Sequence, residues 1–374
     1  MNFYSNFLLF VIILITIYLL YRLIVQRQKI YEMNNNLNIE NFDMNNNYND
    51  SVVKKLAISN KNKLTIHSFS FENLKDESEE VFQLKNYCIK SAYCSVFNGS
   101  DCTIDMLYYV LSRGCRFLDL ELYYVNDNVL VGFSNDYLTP STTNSLLLND
   151  VFTAINENAF NYMSPNKNDP LFIQLRLKHI PKNLTPELLT IRLTTIYNQI
   201  AQSIQSKLTL RYSESSMDAT VSIQKLQRHI VIIMDTSYNN RHFANLSPNL
   251  KKLVHLQSNT DDIVKNNVTD VENMKEQKLK INADGISTNA EYIQEIVPTI
   301  TKNMYEYHMK DNMDALSMLV KYSANICPMQ FWMNGPQLEA YENIFNKGGK
   351  GIIPISYALS YAEQQFAIPQ IMFP

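Results

Sequence analysis

The sequence predicts an α/β fold built on a parallel sheet and preceded by one membrane-spanning helix. Three observations carry that expectation. About eight short apolar runs recur along the chain, several of them separated by segments of helical periodicity. One further segment near the N-terminus is apolar on every side and long enough for a bilayer. Hydrophobic residues make up 46% of the 374 residues and charged residues 18%, which suffices for a sizeable core.

Taken in order, Phe7 to Tyr21 carries no charge, and Leu23, Ile24 and Val25 extend the run past Arg22 to 19 residues. As a helix this covers roughly 28 Å, close to the hydrocarbon thickness of a membrane. No basic stretch precedes it and no small-residue cleavage site follows, so residues 1–29 read as a retained anchor that meets lipid through residues 7–25. Arg22, Arg27 and Lys29 all follow the apolar run, which places the remainder on the cytoplasmic side, or in the interior of a virion membrane. Residues 34–49 hold nine Asn and almost no apolar periodicity, so residues 30–50 are expected to be a flexible tether. The folded part then covers residues 51–374.

Within it the strand-like runs are Phe117 to Val125, Val129 to Phe133, Leu171 to Leu177, His229 to Asp235, Leu253 to Gln257, Ile281 to Ser287, Ile326 to Met333 and Gly351 to Ile355. Helices are expected over Thr103 to Ser112, Asn144 to Ala159, Thr185 to Leu208 and Pro336 to Asn346. The first stops at Gly114; the last has Pro in its first turn and Gly348 and Gly349 beyond its end. Periodicity does not choose between a closed barrel and an open sheet. Neither GxGxxG nor GxxxxGK[ST] occurs, so the common nucleotide-binding loops are missing. A formal charge of -3 provides no field for a polyanion, and no nucleic-acid partner is expected. Five Cys without a CxxC pair argue against a disulfide scaffold and a structural zinc.

Four strings carry a resemblance: SAYCS at Ser91–Ser95, SRGCRFLDLEL at Ser112–Leu122, NDVFTAI at Asn149–Ile155 and DPLFIQLRLKH at Asp169–His179. They occur in the order of the X half of phosphatidylinositol-specific phospholipase C, and the chain resembles that family. ICPMQFWMNGPQLEAYENIFNKGGKGIIP, from Ile326 to Pro354, is similar to the end of the family's Y half. The resemblance implies a TIM-type (β/α)8 barrel of the PLC-like phosphodiesterase kind, with an X-like half at about residues 85–210, a Y-like half at about residues 225–358, and a site at the C-terminal ends of the strands. Anchored and Asn-rich, the chain also looks like products of large DNA viruses.

The family is known for two His and a calcium ion: one group takes the proton of the inositol hydroxyl, another protonates the leaving diacylglycerol oxygen, and the cation stabilises the phosphate. Residue by residue this chain departs from that pattern. The first His position is Tyr93, and the adjacent Asn ligand position is Cys94. A phenol with an ordinary pKa of ~10 is a poor proton shuttle. The second His position falls at Phe133-Ser134, and no His occurs between Ser68 and Lys178. The family's acidic pair corresponds to Asp119 and Glu121, which alternate onto one face of a strand. A further acidic ligand position holds Arg176, so a guanidinium is expected where the metal would sit, and no calcium is expected.

For Asp119 and Glu121 the leading expectation is a buried ion pair with Arg116 or Arg176; residual binding of a ligand through Asp119, Glu121 and Arg176 is the other. His67, His179 and His229 are candidates by residue type only. The resemblance with these losses implies a membrane-anchored, catalytically degenerate phospholipase-like module that is structural or binds a phosphoinositide headgroup, and that partners a membrane or virion protein. The alternative is an active phosphoric diester hydrolase using displaced groups such as His179 or His67 with Arg176.

Overall fold

Helix caps and strand parity account for most of the elements. The structure, a computed structural model, describes residues 48–59, 66, 82–134, 144–161, 164–178, 184–210, 217–237, 242–280, 291–298 and 311–367. By contacts the chain divides into Met1–Asn47 and Tyr48–Pro374, and everything described belongs to the second unit. The expected anchor at residues 7–25, residues 30–47 of the expected tether, His67 and His179, and the strand expected over Ile281–Ser287 lie outside the described residues, whereas Tyr48–Asp50, expected in the tether, belong to the folded unit, with Tyr48 buried. Among the described residues no helix is long and apolar enough to cross a membrane.

Helix α1 (Ser51–Ser59) starts where the Asp50 carboxylate accepts from the amide of Val52 at 2.8 Å. Two short strands follow, β1 (Tyr87–Ile89) and β2 (Ser91–Ala92). The hydroxyl of Thr103 accepts from Met106 and caps α2 (Ile104–Ser112). Gly114 then turns the chain at φ +80°, and a Cβ there would lie 2.6 Å from Ile66 Cδ1, so both conformation and space call for glycine. The central hairpin is β3 (Phe117–Val125) with β4 (Asn128–Gly132), and β5 (Leu146–Leu147) leads into α3 (Leu148–Asn158). Next come β6 (Leu171–Leu177), α4 (Pro186–Ile204) and β7 (Ile230–Asp235). Two single-turn helices, α5 (Phe243–Leu246) and α6 (Pro248–Lys251), precede β8 (Val254–Ser258) and β9 (Ile263–Asn267). The chain continues through α7 (Val268–Glu272), β10 (Ile293–Val297), α8 (Ala315–Tyr322), α9 (Pro336–Gly348), β11 (Ile352–Pro354) and α10 (Ile355–Ala367).

Strands β10, β9, β8, β7, β6 and β3 lie side by side, all parallel, and β2 pairs in parallel with the first residues of β3. The same edge of β3 carries the antiparallel β4 farther along, and β1 pairs antiparallel with β11. The named strands therefore form an open path. Its two ends are joined at single points: Ile326 bridges in parallel to Glu295 and to Ile89, and Met329 to Ala92. The strand expected over Ile326–Met333 is reduced to these bridges. Pro328 has no N–H to offer a ladder, and the side-chain amide of Asn325 is drawn to the carbonyls of Lys85 and Tyr87 at 2.8 and 2.9 Å.

Parity divides the interior into two layers. Phe117, Phe172, Val231, Ile263 and Ile293, near the N-terminal ends of their strands, belong to one buried apolar cluster. Two residues farther along each strand, on the same face, stand Asp119, Gln174, Ile233, Lys265 and Glu295, and beyond them Glu121, Arg176 and Asp235. The core is thus apolar at one end and ionic at the other.

A separate ion cluster locks α9 onto β1 and α2. Lys90 Nζ lies 3.0 Å from Glu342 Oε1 and donates to the carbonyl of Arg113 at 2.7 Å, while Arg113 grips both oxygens of Glu342. Arg116 corrects an expectation: it does not reach Asp119 or Glu121. Its guanidinium instead donates to the Ala159 carbonyl at 2.9 Å, the Ser164 hydroxyl at 2.8 Å and the Asn166 carbonyl, bracing the loop after α3. Its position just before β3 puts it on the outward parity, away from the carboxylates.

Candidate functional site

Four carboxylates, two lysines and one guanidinium meet on the inward faces of β3, β6, β7, β9 and β10, beyond the apolar layer. Arg176 makes a two-pronged contact to Asp119, with Nε on Oδ1 and Nη2 on Oδ2, and Nη2 also lies 3.0 Å from Glu121 Oε1. The pairing follows from register, since Glu121 lies beside Arg176 and Asp119 beside Gln174. Lys178 Nζ is 3.3 Å from the same Glu121 oxygen, and the other oxygen accepts from the Tyr123 hydroxyl at 2.8 Å and the Ser134 amide at 3.2 Å. Burial pushes the Glu121 carboxyl up, but Lys178 and Arg176 outweigh it and hold it below its ordinary value. Burial lowers Lys178, only partly offset by Glu121, and leaves its ammonium at about 8.

The second pair lies across the mouth. Lys265 Nζ donates to Asp235 Oδ2 at 2.5 Å, and the Ser237 amide donates to Asp235 Oδ1 at 2.8 Å. Burial alone would raise Asp235, yet the Lys265 ammonium and the Ser237 hydrogen bonds bring it to about 2. Next to Lys265 in register is Glu295, completely buried. Its Oε1 accepts from Gln174 Nε2 at 3.0 Å, while its Oε2 has no hydrogen-bond partner among the described residues. Burial raises this carboxyl to about 7; Lys265 opposes the rise, and Asp119 and Asp235 add to it.

Between these groups opens a cavity of about 170 Å³. Arg176, Lys178 and Lys265 line it, with Asp235, Ser237 and the amide-bearing Asn259, Asn266 and Asn267. Among the described residues no histidine lines it. His229 stands before the first residue of β7, at the end of the strand away from the cavity, where its Nδ1 lies 2.7 Å from the Gln227 carbonyl. His255 is buried on β8, accepts from the Ile232 amide at 3.2 Å, and is pushed by burial to about 4, so it is a neutral packing group.

Tyr93 and Phe133 are 2% and 1% exposed, and both belong to an aromatic cluster. Phe133 stacks on Phe97 at 4.1 Å, Trp332 stands edge-on to Phe97 at 4.9 Å, and the Tyr93 ring lies 6.4 Å from Trp332. The Arg176 guanidinium sits 4.8 Å from the Tyr93 ring centroid. Cys94 adopts φ 42°, a left-handed conformation that costs roughly 1–2 kcal/mol in a residue other than glycine. Its amide donates to Asp119 Oδ2 at 3.1 Å, and burial carries its thiol well above the ordinary range, so it is no nucleophile.

The oxygens a cation would need on Asp119 and Glu121 are therefore taken by a guanidinium and an ammonium. Among the described residues no group of three His, Cys, Asp or Glu side chains could hold a metal ion. The residues present do not fit a divalent cation. Lys178, Asp235, Lys265 and Glu295 escaped the sequence reading. The available signal was a lone Glu inside the apolar IQEIV run and a Lys in IVKNN, charged residues on the inward parity of strands.

No curated protein matches the chain. Among solved structures it is similar to PLC21 of S. officinalis, at 16% identity and a TM-score of 0.52 over 74% of this chain and 37% of that one. It is similar also to PLC21 of L. pealei, at 14% identity and a TM-score of 0.52 over 74% of this chain and 38% of that one. The chain thus spans less than two fifths of either protein, and at such identities the likeness speaks for the fold. Residues 82–235 match the family model of the phosphatidylinositol-specific phospholipase C X domain, a span from just before β1 to the last residue of β7 that includes Asp119, Glu121, Arg176 and Asp235. Over residues 82–235 the chain is thus similar to the X domain of phosphatidylinositol-specific phospholipase C.

Proposed function

We propose that this protein is a phospholipase C-like domain that binds an anionic phosphoinositide headgroup at its strand mouth without cleaving it. One observation carries the reading: Arg176 sits on Asp119 and Glu121, supplying internally the positive charge that a bound metal would bring. Two further features support it. The rings of Tyr93 and Phe133 occupy the positions that the resemblance assigns to imidazoles, and both are buried in aromatic packing. Each lost acid or base typically removes ~10²- to 10⁴-fold in rate, and barrel packing does not depend on them. Arg176, Lys178 and Lys265 remain to meet a phosphate.

On the same reading the Y-like half at about residues 225–358 completes an eight-stranded barrel. The bridges at Ile326 and Met329 support residues 326–329 as its eighth stave. Residues 7–25 anchor the domain at the cytoplasmic face of a membrane, and the basic residues that follow them support that side.

The test uses the full chain in mixed micelles with phosphatidylinositol or its bisphosphate, with and without calcium, and in parallel its binding to phosphatidylcholine vesicles with and without phosphatidylinositol. The expected outcome is binding that requires phosphatidylinositol and no turnover in either condition. Turnover lost on Arg176→Ala would overturn the reading in favour of an active phosphoric diester hydrolase. Protection of the folded domain from protease in sealed microsomes would overturn the cytoplasmic side.

A further inference from the structure

We propose that Glu295 takes up a proton when a phosphodiester enters the cavity beside Lys178 and Lys265, so that anion binding is tied to pH through one buried carboxylate. The inference rests on the headgroup reading and says how that site is regulated.

The argument is one of charge and position. Four buried carboxylates, Asp119, Glu121, Asp235 and Glu295, share three cations, Arg176, Lys178 and Lys265. Arg176 is engaged by Asp119 and Glu121, Lys178 leans on Glu121, and Lys265 is bonded to Asp235. Among the described residues Glu295 is the one carboxylate of the four without an ion-pair contact of its own; it depends on its neighbour Lys265 and on a hydrogen bond from Gln174. Lys265 also lines the cavity. A phosphodiester that draws this ammonium outward leaves Glu295 facing two like charges in a medium of low dielectric, the costliest place to stay ionised. A proton on Glu295 offsets the incoming charge, so the total charge of the cluster does not change.

The surroundings of Glu295 support the sign. From β9 it faces Lys265, from β7 Asp235, from β3 Asp119, and from β6 the neutral Gln174. Beside the bridge at Ile326 lies Cys327, whose thiol burial raises to about 12, so it remains uncharged. Helix α7, packed on β10, carries Asp270 and Glu272 at the exposed surface. With no ligand the Glu295 carboxyl already stands at about 7, within reach of a further upward shift.

The experiment titrates the full chain calorimetrically with glycerophosphoinositol, a soluble phosphodiester whose charge is constant across the neutral range. It uses two buffers of different ionisation heat, with phosphatidylcholine vesicles carrying phosphatidylinositol as the lipid arm. Affinity is expected to weaken about five- to tenfold from about pH 6 to about pH 8, with about half a proton taken up per ligand at about pH 7, where the free carboxyl is already half protonated. Glu295→Gln should keep the tighter affinity up to about pH 7.5 and lose most of the proton uptake at about pH 7; the fall and the uptake that remain at higher pH belong to Lys178 near 8. Binding with no proton uptake, or a Glu295→Gln profile that follows the wild type, overturns the inference and leaves the headgroup reading standing. Absence of binding in both arms at every pH removes the headgroup reading, and the inference with it. Pairing the soluble diester with the vesicle arm also distinguishes a free diester from a lipid headgroup as the source.

Discussion

Two fully buried glutamates in this protein have opposite characters. Glu342, on α9, meets Lys90 and Arg113 through both oxygens, and its carboxyl lies at about 2. Glu295, on β10, has one hydrogen bond, a lysine already bonded to another carboxylate and an oxygen with no hydrogen bond; its carboxyl lies at about 7. Burial pushes both upward, so the partners make the difference. A carboxylate with two cations of its own is part of the scaffold, whereas one that shares a cation beside a cavity retains a protonation equilibrium that a ligand can move.

The largest expected effect tests the scaffold side. Glu342→Gln leaves Lys90 and Arg113 facing each other without an anion, and unfolding free energy should fall by about 3–5 kcal/mol in denaturant titrations at neutral pH. The pH dependence has a fixed sign. A folded carboxyl depressed to about 2 from 4.5 contributes stability that is complete above the unfolded value and is lost as pH falls through the folded one. Wild-type stability should therefore drop between about pH 4.5 and about pH 2, and Glu342→Gln should flatten much of that drop. An unchanged acid limb would mean that Glu342 is not the carboxylate responsible.

The mouth should respond in the opposite direction. A folded carboxyl raised from 4.5 to about 7 favours the folded state below the unfolded value and loses that contribution as pH climbs through the folded one. Glu295→Gln should consequently raise unfolding free energy at about pH 8, by about 2 kcal/mol, and do little at about pH 5. Thermal denaturation at the two pH values is a sufficient check. Destabilisation at pH 8 would show that Lys265 serves Glu295 as fully as Lys90 and Arg113 serve Glu342.

A third substitution sharpens the comparison at Arg176. Arg176→Ala strands Asp119, but Lys178 stays on Glu121 and the neighbouring cavity admits water, so the loss should be about 2 kcal/mol, below that of Glu342→Gln. Arg176→Glu places a third carboxylate beside Asp119 and Glu121 and removes the resident cation. Millimolar calcium should then raise the melting temperature of Arg176→Glu and leave the wild type unmoved. No calcium response in a folded Arg176→Glu variant would mean that the guanidinium is not what keeps a cation out.

How far the sequence reaches follows the same division. Strands β3 and β6 are apolar enough on both faces to be bounded correctly from sequence, and Thr103, Gly114, Pro336 and Gly349 mark helix ends by cap chemistry that depends on neighbours alone. Strands β9 and β10 were missed because their inward residues are Lys265 and Glu295, which break the apolar pattern at the positions where the site lies. Asp119, Glu121 and Arg176 could be proposed together through motif spacing, but the choice between Arg116 and Arg176 as partner needed strand register, a non-local quantity. The Lys265 pairing with Asp235 joins residues thirty positions apart, for which nothing in the sequence holds a signal.

The smallest effect is expected where β3 has an edge without a strand. At Asp119 that edge is covered by a loop: Ser95 N donates to the Asp119 carbonyl at 2.9 Å, and the Asp119 amide donates back to Ser95 Oγ at 3.1 Å. A side chain thus takes the place of a strand partner between β2 and β4, at the residue that holds Arg176. Ser95→Ala leaves a buried amide without an acceptor and should cost about 1 kcal/mol. Because Asp119 also receives the Cys94 amide and the guanidinium, its carboxylate should stay in place, and the affinity for phosphatidylinositol vesicles should change by less than about twofold. A larger loss of binding than of stability would mean that the loop positions the mouth, and that the line between scaffold and site runs through Ser95.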